Sequence, residues 1–131
     1  MSEHAAAVRE NRELTSEEMR LLRWMLEHGS AESAKLVDQI ALLRVISRCP
    51  CGCASIDFSF NGDEPVDGQM RVIADFLYGD ASSLCGAFVF EKQGIVAGLE
   101  VYGLAVEHPR SLPEPSDLRP FEAEVEGAGR A

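Results

Sequence analysis

No stretch of this chain approaches the ~20 consecutive apolar residues that a membrane-spanning helix requires, and residues 1–12 lack the apolar core of a signal peptide. The expectation is therefore a cytoplasmic protein with no membrane partner. Basic residues are scarce: 12 Lys plus Arg stand against 22 Asp plus Glu, a net charge of −10. Such a chain repels phosphate backbones, which argues against nucleic acid and leaves a basic protein surface as the electrostatically suited partner. A Walker loop, a dinucleotide fingerprint, a nucleophile elbow and a zinc-protease helix motif are all missing. The reading therefore leans away from an enzyme. No repeat and no linker divides the chain.

What is present suits one domain. With 131 residues, 46% of them hydrophobic, the chain can bury roughly two thirds of its unfolded surface and needs no covalent staple. Thr15 and Glu18 have the spacing of a capping box, flanked by Leu14 and Met19 at the positions of a hydrophobic staple. Met19, Leu22, Met25 and Leu26 follow at helical spacing and Gly29 stops the pattern, which predicts a helix over 16–28. Ser30 caps a second predicted helix over 31–41, with Ala34, Leu36, Val37 and Ile40 on its buried face.

From residue 42 the period changes to two. A first strand is predicted to Arg48, and a second through Ile56, Phe58 and Phe60. A third has Met70, Val72, Ala74, Phe76 and Tyr78 on one face, and a hairpin turns at Lys92, Gln93 and Gly94. Prolines 109, 113, 115 and 120 then interrupt regular structure. The fold expected is α+β: an N-terminal helical pair on one face of an antiparallel meander of about five strands, with a Pro-rich C-terminal tail. Residues 1–12 are expected to be a flexible N-terminus, 13–118 the single domain, and 119–131 a flexible acidic tail.

Cys49, Cys51 and Cys53, at alternate positions around Pro50 and Gly52, are the constellation that composition would not predict. Cytoplasmic thiols stay reduced, so a structural disulfide is not the default. Three readings stand: small packing residues at a bend, a zinc or copper(I) site that Cys85 or a histidine completes, or a reactive thiol beside Arg48. Against a metal stands spacing, because alternate Cβ atoms on an extended chain lie too far apart for one ion unless the backbone folds sharply. The acids Asp63, Glu64 and Asp67 fall in a turn-forming stretch without the ladder of a calcium loop. Trp24, at the margin of the first helix, and the unusually apolar odd face of the third strand, Arg71, Ile73, Asp75 and Leu77, are the candidate partner surface, for another protein or a second copy.

Three segments together resemble an uncharacterised family of small bacterial proteins: Leu14-Thr15 with Glu17-Glu18, Arg48-Cys49-Pro50-Cys51-Gly52-Cys53 with Ser55, and Leu99-Glu100-Val101-Tyr102. The resemblance runs from about Arg12 to Leu118 and implies a helical pair followed by an antiparallel sheet, without an activity to carry over. Ala54 stands where such sequences carry proline, which implies a looser cysteine segment. At the level of fold the pattern is also similar to small acidic immunity proteins that neutralise toxins. The leading functional expectation is a non-catalytic protein-binding module, and the alternative is a metal or thiol protein centred on the three cysteines.

Overall fold

The computed structural model describes residues 7–104 and 106–121. The first predicted helix forms over the expected residues, α1 (Ser16–His28). Its capping box closes: the Glu18 amide donates to Thr15 Oγ1 at 3.1 Å, and the Thr15 amide donates to Glu18 Oε1 at 2.9 Å. The helix buries three of the four residues of the expected stripe, Leu22, Met25 and Leu26. It buries Glu18, Leu21, Leu22, Met25 and Leu26, an i, i+3, i+4, i+7, i+8 set, and Met19 is left 37% exposed. Arg12 holds the Glu18 carboxylate at the edge of that face through two bonds of 2.9 Å.

Arg12 belongs to β1 (Val8–Glu13), so part of the segment expected to be flexible is an ordered strand. The second helix is shorter than expected. α2 (Ala31–Ala34) ends after one turn, and the chain continues as a 3-10 helix, Val37–Leu42. The corner between α1 and α2 is closely packed. Ser33, fully buried, donates to the carbonyls of Leu26 and Ser30, and a Cβ on Gly29 would lie 2.7 Å from that of Ala74.

Among the described residues, seven strands, not five, form the sheet: β1, β2 (Leu43–Arg48), β3 (Ile56–Phe60), β4 (Arg71–Tyr78), β5 (Cys85–Lys92), β6 (Ile95–Gly103) and β7 (Arg119–Pro120). All neighbours are antiparallel, in the order β1-β2-β3-β6-β5-β4-β7. A simple meander is thus replaced by a Greek-key pattern, because β3 pairs with β6 and not with β4. Residues 61–70 carry the chain across three strand spacings, roughly 14 Å at ~4.8 Å each. They pass the β5–β6 turn, where Gln93 Nε2 donates to the Asp67 carbonyl.

β4 also departs from its expected alternation. Its register slips between Val72 and Ala74, and the bulge places both Ile73 and Ala74 in the core and leaves Val72 42% exposed. The Ile73 carbonyl accepts from the Ser30 amide and hydroxyl, so the bulge is also where the helical corner docks. Leu22, Met25 and Leu26 of α1 share one hydrophobic cluster with Val45, Phe76, Val89, Leu99 and Val101. The proline-containing segment reaches the same cluster through Leu112 and Leu118. It ends by pairing Arg119 and Pro120 with Leu77 and Phe76, so the first two residues of the expected flexible tail are a strand. Phe121 follows, half-buried, and residues 122–131 of that tail lie outside the described residues.

Candidate metal centre at the cysteine turn

β2 and β3 pair up to Arg48 opposite Ile56, and the seven residues between them close the hairpin. Two backbone bonds shape that loop: the Cys49 amide donates to the Ser55 carbonyl, and the Gly52 amide to the Cys49 carbonyl, both at 3.3 Å. The second bond defines a β-turn with Pro50 at its second position, where its fixed φ is favoured. Gly52 follows at φ +92°, a conformation that any residue with a Cβ would adopt only under strain. The chain therefore curls at the point where an extended one would separate the cysteines.

The three Sγ atoms of Cys49, Cys51 and Cys53 lie within 4.8 Å of one another. Cys49 donates to Cys51 Sγ at 2.8 Å, and the Cys53 amide donates to the same sulfur at 3.3 Å. Cys51 is exposed, whereas Cys49 and Cys53 are half-buried. The shared bond splits the two thiols: donation to Cys51, aided by burial, pushes Cys49 up to about 11. Cys51 moves down, first through the bond from Cys49, then through the Cys53 amide, with a contribution from the Arg110 charge. Of these two thiols, Cys51, the outer one, ionises the more readily.

Later parts of the chain brace the turn. The Ala54 amide donates to the Pro109 carbonyl at 2.9 Å, and Arg110 lies against Gly52 where a Cβ would collide with its Nη1. Ser55, buried, bonds both the amide and the carbonyl of Val101 and so pins the start of β3 to β6. Local sequence carries no sign of these braces, because they come from residues about fifty positions away.

Cys85 does not join the cluster. It is buried at the start of β5, donating to the Ser83 carbonyl at 3.6 Å. Among the described residues, the three cysteines are the one group of metal-ligating side chains that converges. Asp63, Glu64 and Asp67 are exposed on the crossover. A surface hollow of ≈ 960 Å³, lined by β1, β2 and residues 62–65, includes none of the thiols.

The residues named for a partner surface are dispersed. Trp24 stacks on His28 at 4.2 Å between ring centres and leans on Phe76. Arg71 is bound to Glu32 at 2.8 Å and to Glu91 at 2.6 Å. Ile73 and Leu77 are buried, at 5% and 3% exposure, and Asp75 is half-buried. Their expected common face is broken by the β4 bulge. By contrast, the sheet does bring together Asp57 and Glu100. Asp57 is opposite Gly98, so Glu100, two residues on, shares its face. Burial raises the pKa of Glu100, the Asp57 charge adds to this, and His108 opposes it.

No family model, curated protein or solved structure matches the chain.

Proposed function

We propose that this protein binds a soft metal ion through Cys49, Cys51 and Cys53. The observation that carries the reading is the convergence of three sulfurs within 4.8 Å, which meets the spacing objection raised by the sequence. Thiolates select copper(I) and zinc over hard cations. Three sulfurs complete a trigonal copper(I) site, whereas zinc would take a fourth ligand from solvent. Exposure of Cys51 suits an ion that is taken up and passed on rather than one that holds the fold together. The core needs no such help, since α1 and the sheet share a buried cluster in which the cysteine turn is represented only by Ala54 at its margin.

The test is competition against a chromophoric chelator, under anaerobic conditions, for copper(I) and for zinc. Cys51→Ser should weaken binding by more than about tenfold, because changing even outer-shell partners of a metal costs that much. The same substitution, at an exposed position, should alter folding stability by less than about 0.5 kcal/mol. Cys85→Ser should leave metal affinity unchanged. Equal affinity in wild type and Cys51→Ser would sink the proposal. The partner-surface reading draws less support, as Ile73 and Leu77 are buried and Arg71 is engaged by Glu32 and Glu91.

A further inference from the structure

We propose that Cys49 and Cys51 also form a redox-active dithiol, which reduces small-molecule disulfides and in doing so dismantles the metal site. The link to metal release rests on the metal reading above; the exchange chemistry rests separately on the Cys49–Cys51 pair. Their sulfurs are 2.8 Å apart, less than 1 Å beyond the ~2.0 Å of a covalent S–S bond. Closing that gap takes side-chain rotation within a turn that already holds both residues.

The roles differ because the environments differ. Cys51 is exposed and accepts two hydrogen bonds, from the Cys49 thiol and the Cys53 amide, so it is the sulfur that an incoming disulfide reaches. Cys49 is half-buried behind it, with its S–H aimed at Cys51, as suits a resolving thiol. The Arg110 guanidinium, lying against Gly52, offers a positive charge to a disulfide bearing carboxylates.

In the first step the Cys51 thiolate attacks one sulfur of a disulfide RSSR. An S–S bond forms between Cys51 and R, the original S–S bond breaks, and RS⁻ leaves. In the second step Cys49 gives its proton to the released RS⁻ and attacks the Cys51 sulfur, forming the Cys49–Cys51 bond and expelling the second RS⁻. Two electrons pass from the protein to RSSR, yielding one RSH and one RS⁻. The two sulfurs are then no longer available as thiolate ligands.

The test uses the full chain, stripped of metal with a chelator and mixed anaerobically with glutathione disulfide, followed by alkylation and mapping of the cysteines by mass spectrometry. The expected product is a Cys49–Cys51 disulfide, with Cys53 and Cys85 alkylated. Cys49→Ser should stop at a mixed disulfide on Cys51, and Cys51→Ser should not react. A product linking other cysteines, or four free thiols in wild type, would overturn the proposal, and the wild-type result does not depend on any variant folding. Preloading with copper(I) should slow the exchange; an unchanged rate would overturn the link to metal release. Metal binding without the disulfide refutes the dithiol alone, and the disulfide with neither copper(I) nor zinc bound refutes the metal reading alone.

Discussion

Gly98 of β6 faces Phe90 of β5 across the sheet, and the Phe90 ring occupies the space where a Cβ on Gly98 would lie. Phe90 is only 6% exposed, and Phe88 and Tyr102 continue the aromatic row, with Tyr102 covering Gly86 in the same way. Gly98→Ala should therefore displace the ring and lower stability by about 1–3 kcal/mol, read as a lower midpoint in urea. An unchanged midpoint would mean that the ring does not depend on the glycine. At this scale the sequence was uneven as a guide. Local pairs such as Thr15 with Glu18 were legible because both partners lie within one helical turn. The grouping of three sulfurs was not, because it depends on a turn closed at Gly52 and braced by Pro109 and Arg110. Nor was the shared face of Asp57 and Glu100, which follows from strand pairing.

Among the elements, β1 and α1 are joined by the part-buried charge pair of Arg12 and Glu18. Burial works to raise the pKa of Glu18, but the bonds from Arg12 and from Thr15 outweigh it and hold the group below its ordinary value of 4.5. A carboxylate with a lowered folded pKa contributes stability that is fully present above its unfolded pKa and is lost as pH falls through the folded value. Stability should therefore decline below about pH 4.5, and Glu18→Gln should remove part of that decline while lowering stability at pH 7. Urea midpoints between pH 7 and pH 3 would show it, and equal acid slopes in the two proteins would contradict it. Elements with strong local period were readable: α1, and the strands from β2 to β6, because alternation and turn residues mark them. β1 was missed because its Val-Arg-Glu-Asn-Arg-Glu sequence has the charged character of an edge strand, which resembles a solvated terminus. The strand order was also hidden, since nothing local says that residues 61–70 cross three strands. The bulge at Ile73 shifted a face that simple alternation had assigned to a partner.

For the molecule as a whole, the net charge of −10 attracts cations in general but does not choose among them. On the proposed metal reading, choice would come from the sulfurs. Because α1 and the sheet bury a common core in which the thiols take no part, binding at the cysteine turn should not govern folding, and stripping metal should leave the melting temperature nearly unchanged. This separates the site from a structural zinc, whose removal unfolds small domains. The most direct measurement is an anaerobic copper(I) titration of the chelator-stripped chain, with free thiols counted before and after. The account predicts one ion retained per chain and protection of Cys49, Cys51 and Cys53, with Cys85 exposed only by unfolding. Failure to retain the ion, with the three turn thiols as reactive after the titration as before it, would contradict the account.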